Sequence, residues 1–274
     1  MIKEISSLQN KLIKDIIQLQ SKSRIRKKTG LFVIEGLREI KLALASGYTL
    51  QTILFCEAII ATPELEKLLD TNDLDKLELI RVPERVYERI AHRKTTEGII
   101  AIAKYKTLDL KDLRLPKNAL LLVAEASEKP GNLGALFRTA DAAKLDAVII
   151  ANPVTDLFNP NIIRSSVGCV FTNQITTGST QEIIAFLKQN HINIYSAALD
   201  KRSKPYHKIS FKNSSAIVVG TEATGLSAEW TSQSTENIII PMQGKIDSLN
   251  VSVSAAILIF EAKRQRNFEN QDPV

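Results

Sequence analysis

Three stretches of this sequence place small polar or charged side chains where an apolar run hands over to a new element. In EASEKPGNLGALFRTADAA, Asn132 and Gly134 sit at a strand-to-helix handover, and Arg138 lies one turn past Gly134. An amide and a guanidinium at the carboxyl edge of an α/β sheet suit an anionic or hydroxyl-bearing substrate. In VVGTEATGLS, Gly220, Thr221, Glu222 and Gly225 form a Gly-x-Glu-x-x-Gly turn. This is neither the G-x-G-x-x-G dinucleotide fingerprint nor a P-loop. In IPMQGKIDSLNVSVSAAI, Ser248, Asn250, Ser252 and Ser254 open a helix that is otherwise apolar almost all round, through Val251, Val253, Ala255, Ile257, Leu258, Ile259 and Phe260. Such a helix is buried all round, and the polar groups at its buried N-terminus need partners. Capping with a tight helix–helix contact supplies them, and so does a bound ligand. Taken singly, each stretch leaves both readings open.

The elements that position these groups follow from apolar patterning. The run Ile238-Ile239-Ile240 reads as a buried parallel strand. Pro241 stops it, Gly244 bends the loop, and Ser248 or Asn250 caps a helix reaching about Arg266. Upstream, residues 119–124, 147–151, 173–175, 192–197 and 217–220 read as strands. Helices are expected after Asn132, over 162–171 with Arg164, Ser165 and Ser166 near its start, and over 181–189. In the N-terminal half, Ile5, Leu8, Leu12, Ile16 and Leu19 recur at helical spacing, which predicts a helix over 4–20. Strands over 31–35, 52–56, 77–82 and 99–104 alternate with helices over 37–46, 63–69 and 84–91. Alternation throughout makes the chain α/β. The polar stretch KTLDLKDLRLPK separates the halves, giving an N-terminal unit 1–105, a linker 106–117, a second domain 118–268 and a tail 269–274.

At 274 residues the chain accommodates two cores. No run approaches the roughly 20 apolar residues of a membrane span, and the N-terminus MIKEISSLQNKLIK is no signal peptide. Cys56 and Cys169 lie far apart in apolar contexts and read as thiols of a protein in a reducing cytoplasm. His92, His191 and His207 are scattered without metal-ligand spacing. The net charge is +6, and residues 1–30 alone hold eight Lys or Arg against two acids. The cluster SKSRIRKK, with Lys22, Arg24, Arg26, Lys27 and Lys28, is a solvated face or the footprint of a phosphate-backbone binder. Arg38 in GLREI, and Arg93 and Lys94 in HRKTTEG, are further candidates to hold phosphate, as is Arg164 in the second half.

In order along the chain, the three stretches resemble the motifs of the SpoU/TrmH family of RNA ribose 2'-O-methyltransferases, within the SPOUT superfamily. The matches are Asn132-x-Gly134-x-x-x-Arg138-x-Ala140, then Gly220-x-Glu222-x-x-Gly225-Leu226, then Ile240-Pro241-Met242-x-Gly244 with Ser248-Leu249-Asn250-Val251-Ser252. The middle of the third motif, Lys245-Ile246-Asp247, departs from the family pattern. The resemblance covers about 118–266, and the N-terminal unit resembles the family's L30e-like RNA-binding domain. It implies a sheet ending in a deep trefoil knot, a rare exception to chain topology rules. It also implies S-adenosylmethionine held by Gly220, Ile240 and Leu249 with Met242 and Ala197 close by, a homodimer whose second subunit completes the site, and an RNA partner. Because an L30e-like domain precedes the knot, the implied substrate is 23S ribosomal RNA, with transfer RNA second.

Methyl transfer from a sulfonium is an in-line displacement that needs alignment and loss of the ribose proton, and it requires no metal. The family arginine matched by Arg138 is often proposed as the base, but a guanidinium is effectively always charged. The implied catalytic set is therefore Arg138 pairing with phosphate and stabilising the developing alkoxide, with Asn132, Ser248 and Asn250 orienting the 2'-hydroxyl. Glu222 would position Arg138 or its own loop. Two rivals are a non-catalytic RNA-binding protein of this fold, against which Asn132, Arg138 and Asn250 all stand, and an enzyme of another branch that methylates a base nitrogen, against which the SLN motif stands.

Overall fold

The computed structural model describes residues 2–70, 77–92, 97–200, 202–221 and 224–268. The chain begins β1 (Ile2–Glu4), α1 (Lys11–Ser21), α2 (Ser23–Thr29), β2 (Leu31–Glu35), α3 (Leu37–Ala45) and β3 (Leu50–Phe55). It continues through α4 (Thr62–Asp70), β4 (Glu78–Arg81), α5 (Glu84–Ile90) and β5 (Ile99–Lys104). These strands form a sheet in the order β1-β4-β3-β5-β2, with β5 antiparallel to both its neighbours. The helix expected over 4–20 starts only at Lys11. Asn10 caps it by accepting from the Leu12 N–H at 2.8 Å, and residues 2–4 pair in parallel with β4 instead. Ile13, Ile16 and Leu19 of α1 bury against Val33, Leu54, Ile80 and Ile100, so the amphipathic pattern identified the packed face correctly.

The second half runs β6 (Leu120–Glu125), α6 (Pro130–Ala142), β7 (Ala147–Ala151), α7 (Pro160–Ser165), α8 (Cys169–Thr172), β8 (Ile175–Gly178), α9 (Thr180–Gln189) and β9 (Asn193–Ala197). Then come β10 (Lys204–Pro205), β11 (Ser215–Val219), α10 (Ala228–Gln233), β12 (Glu236–Ile239) and α11 (Val251–Gln265). All seven strands are parallel, in the order β10-β12-β9-β11-β6-β7-β8. Strands β6, β7 and β11 are buried on both faces, which is why they read as unbroken aliphatic runs. Leu121, Val123, Ile149, Val218 and Trp230 form the core on one side of this sheet.

The chain divides into two compact units. One is the chain up to Lys106 together with Asp156–Thr172; the other is Thr107–Thr155 with the chain from Asn173 onward. The continuous domain expected over 118–268 is thus interrupted, because Asp156–Thr172 packs into the first unit. Phe158 stacks on Phe32 with ring centroids 4.3 Å apart, and the Arg26 Nε donates to Asp156 at 2.5 Å. Tyr105 donates to the same carboxylate. The helix expected over 162–171 is broken into α7 and α8 by positive φ at Val167 (57°) and Gly168 (85°). A side chain at position 168 would bring its Cβ to 2.8 Å from Leu42 Cδ1, so glycine permits both the turn and the contact. Cys56 is buried and Cys169 half-buried, both as free thiols. Among the described residues, no helix is long and apolar enough to cross a membrane.

Candidate active site

At the carboxyl edge of the seven-stranded sheet, the chain leaving β9, β11 and β12 encloses a pocket of about 880 Å³. Ala197, Gly220, Ile240, Met242 and Leu249, the five residues expected to contact a cofactor, all line it. Strand β11 ends at Val219, and Gly220 lets the chain double back. A Cβ on Gly220 would fall 2.3 Å from the carbonyl carbon of Gly225, closer than any side chain tolerates. The turn is closed by reciprocal backbone hydrogen bonds between Thr221 and Gly225, at 3.1 and 3.0 Å, and by the Thr221 and Thr224 hydroxyls at 2.8 Å. Gly225 adopts φ 69°, the left-handed conformation that glycine takes without strain. Glu222, expected to position this loop or Arg138, lies outside the described residues.

Asn250 joins two of the sequence motifs. Its Oδ1 accepts from the Ser252 N–H at 2.9 Å and the Ser252 hydroxyl at 2.6 Å, capping α11. Its Nδ2 donates to Asn132 Oδ1 at 3.1 Å, in the first turn of α6. Capping is therefore real, and it leaves Asn250 bridged to Asn132 at the rim of the pocket. Ser248, also lining the pocket, donates to Asp247 at 3.0 Å. Arg138 is exposed on α6 and does not line the pocket. Six residues along a helix from Asn132 is a rotation of about 240° and a rise of about 9 Å. The two side chains therefore leave α6 on different faces, and the single chain brings Asn132 and Asn250 together without Arg138.

Sequence reasoning passed over Glu125, the last residue of β6. Its buried carboxylate accepts from the Ser227 N–H and hydroxyl, both at 2.8 Å, and from the Thr180 hydroxyl at 3.2 Å. A buried carboxylate needs such donors, and these fasten the chain leaving the Gly220 turn to the sheet. An acid closing the apolar run LLLVAE was the available signal. Thr221, Leu226 and Ser254, which belong to the sequence motifs but were not expected as cofactor contacts, also line the pocket. So does Asp200, whose carboxyl is held below the usual range by hydrogen bonds from the Arg202 backbone and guanidinium. Among the described residues no group of His, Cys, Asp and Glu is arranged to hold a metal ion.

In the first unit, Lys22, Arg24, Lys27 and Lys28 are exposed on or at the start of α2. Arg38 is exposed, with Nη2 3.8 Å from the buried Glu39. Arg26 corrects the expectation of an RNA contact. It is 2 % exposed, and besides Asp156 its guanidinium donates to the carbonyls of Leu19 and Gln20 at 2.6 and 3.2 Å. Its charge is spent inside the protein. Arg164, on α7, belongs to this unit, where with His92, Gln20 and Glu35 it lines a small opening; His92 Nε2 lies 3.0 Å from Asn161 Oδ1. Arg93 and Lys94 lie outside the described residues.

Residues 119–260 match the SpoU rRNA Methylase family, and residues 10–101 match the MRM3-like substrate binding domain. A 23S rRNA (guanosine(2553)-2'-O)-methyltransferase of Bacillus subtilis is 30% identical over 262 residues, covering 96% of this chain and 100% of that protein. A solved RNA 2'-O ribose methyltransferase superposes with a TM-score of 0.83 at 38% identity, covering 96% of this chain and 99% of the other. An AdoMet-bound rRNA methyltransferase from Sinorhizobium meliloti superposes with a TM-score of 0.88 at 28% identity, covering 96% and 98%.

Proposed function

The chain belongs to the SpoU rRNA methylase family, and from that premise we propose that it transfers a methyl group from S-adenosylmethionine to a ribose 2'-hydroxyl of 23S ribosomal RNA. The observation that carries this reading is the hydrogen bond between Asn132 and Asn250 at the rim of a pocket lined by all five expected cofactor contacts. Its volume lies in the range of small-molecule sites. Its walls suit a cofactor of that kind: small residues at Ala197, Gly220 and Gly225, aliphatic surface from Ile240 and Leu249, and two carboxylates, Asp200 and Asp247, with no lysine or arginine among the described lining residues. Bound there, S-adenosylmethionine supplies an activated methyl group on a cationic sulfur.

The chain's own residues then have to hold the acceptor. Asn132 and Asn250, tied to each other, fix an amide beside the pocket mouth to orient the ribose hydroxyl, and Ser248 offers a further donor. Arg138 stabilises the developing alkoxide and the adjoining phosphate as a permanent cation. Because it stands outside its own chain's pocket, it acts in the pocket of a second copy. Val253 and Phe260, seven residues apart on one face of α11, are 47 % and 41 % exposed and supply apolar surface for that dimer. In the knot that the family fold implies, the chain crosses from β11 past β9 to β12, and its loops meet at the cofactor. The first unit, a substrate-binding domain, presents α2 to RNA phosphates in the cytoplasm.

The test is purified protein with labelled cofactor against unmodified 23S transcript and unmodified transfer RNA, followed by digestion to nucleosides. Label in a 2'-O-methylnucleoside of 23S RNA supports the reading. Label only in transfer RNA moves the substrate, and label on a base removes the ribose assignment. Light scattering checks the dimer, which a monomer at micromolar concentration would exclude.

A further inference from the structure

At the opposite, amino-terminal edge of the same sheet lies an open cleft of about 950 Å³, walled by the residues that lead into β6, β7 and β11 and by the last turn of α11. Five cations from four segments line it: Arg114 before β6, Lys144 after α6, Lys212 before β11, and Lys263 and Arg266 at the end of α11. Among the described lining residues Asp146 is the one acid.

These cations differ in what they do. Arg266 frames the cleft, its guanidinium donating to the carbonyls of Phe211 at 2.7 Å, Asn118 at 2.6 Å, Ala119 at 3.3 Å and Asn213 at 2.5 Å. Asp146 accepts from the Leu120 N–H at 2.7 Å. Lys263 is different. Its side chain is buried, at 6 % exposure, and lines the cleft with no hydrogen-bond or ion-pair partner among the described residues. Burial lowers its pKa, Asp146 works against that shift, and the charges of Arg266 and Lys144 add to it. The Lys263 stem is buried, but its ammonium is not fully enclosed and opens onto the cleft. Cations at a helix C-terminus are favoured by the helix dipole, which accounts for Lys263 and Arg266 but not for Arg114, Lys144 and Lys212, which come from other segments.

We propose that this cleft is a second polyanion site, taking the phosphodiester backbone of the RNA whose ribose is methylated at the other edge. The proposal rests on the proposed function. Helix α11, with 15 residues, spans about 22 Å between the two edges, so one folded RNA can engage both. Lys263 and Lys212 contact phosphate oxygens, and Arg266 holds the walls apart.

The probe is polyuridylate, bound to the full chain without cofactor over a series of salt concentrations. Lys212→Glu, Lys263→Met and the variant carrying both substitutions are compared with wild type, with circular dichroism melts confirming that all of them fold. Wild type binds with a steep salt dependence. The double variant binds at least about 10-fold more weakly, and its log–log salt slope falls by about 0.7 for each cation removed. The slope does not vanish, because α2 contributes phosphate contacts of its own. Unchanged affinity and slope in the folded variants would overturn the proposal. Equal displacement of polyuridylate by polyglutamate would also overturn it, assigning the cleft to an acidic protein segment. Methyl transfer to 23S transcript is measured in parallel. Cleft-dependent binding by a wild type without transferase activity would keep the cleft and reject the enzymatic reading; transfer with an unchanged slope would do the reverse.

Discussion

Helix α11 joins two openings of nearly equal size and opposite character. At its N-terminus the pocket is walled by glycine, alanine, aliphatic and hydroxyl side chains, and among the described residues its ionisable lining groups are the carboxylates Asp200 and Asp247. At its C-terminus the cleft carries, among the described residues, five cations against Asp146. The helix dipole favours anions at the first end and cations at the second, so it reinforces the charge pattern at both. Size therefore says nothing about what each edge binds; chemistry does. A largely apolar, weakly acidic pocket suits a sulfonium nucleoside, whereas an open cationic cleft suits a chain of phosphates.

The two edges separate by mutation, and the largest separation is expected from Arg138→Ala. It should lower turnover at least about 10²-fold, the scale of a positioned catalytic group, while calorimetry with S-adenosylhomocysteine finds affinity unchanged. Equal losses in both would make Arg138 structural. Mixing Arg138→Ala with Asn250→Ala chains should restore part of the activity if the arginine serves the other copy's pocket, and no recovery would place it in its own. Next comes Gly220→Ala. Its Cβ would meet the Gly225 backbone at 2.3 Å, so the turn must shift. A displacement near 1 Å costs on the order of 10²-fold, here expected in cofactor affinity. Polyuridylate binding at the far edge should be untouched; a parallel loss would mean that the two edges are not independent.

Much of the site was legible because its residues are dictated locally. Gly220 leaves no room for a side chain, Gly225 takes a left-handed turn conformation that favours glycine, and Asn250 caps a helix, so the motif spacing carried their positions. The fold class was legible because β6, β7 and β11 are buried on both faces and must be aliphatic. What stayed hidden depends on long-range packing. Arg26 reads as one more charge in SKSRIRKK, and only the arrival of Asp156, 130 residues later, shows that it is buried. The same packing carries Asp156–Thr172 into the first unit, where Phe158 and Phe171 lie against Phe32. A fragment beginning near Leu113 would strand those rings without their partner, so truncation tests of the second unit are better replaced by point variants. Lys263 was equally hidden, since EAKRQR reads as a solvated helix end.

A smaller effect is expected from Asn250→Ala, which removes the α11 cap and the tie to Asn132. Loss of such a cap costs about 1 kcal/mol, which lowers Tm by roughly 2–4 °C in a chain of this size. Turnover should fall by more than that stability loss explains, because the amide at the pocket mouth is lost as well. A melting shift with unchanged turnover would reduce Asn250 to a cap.

The smallest effect, and the one that tests the other edge, belongs to Lys263→Met. The variant keeps the buried stem and removes a charge that has no partner among the described residues, so in the absence of RNA it should be as stable as wild type or more so, by under about 1 kcal/mol. The pH dependence has a definite sign. Burial, the first cause, places the folded-state pKa of Lys263 below its unfolded value, which is about 10.4. Between the two values the unfolded chain binds more protons, so wild-type stability gains from this group as pH rises through the window. The variant's advantage is therefore full below the folded-state pKa and disappears toward about pH 10.4. Asp146, Lys144 and Arg266 face the group in both proteins, and the buried tyrosines, with Tyr48 pushed up to about 12, titrate alike in both, so the difference isolates Lys263. Denaturant melts of the two proteins at several pH values give that difference directly. A variant less stable than wild type at neutral pH would mean that the ammonium is already satisfied within the fold, and the cleft would lose the cation that points to an anionic ligand.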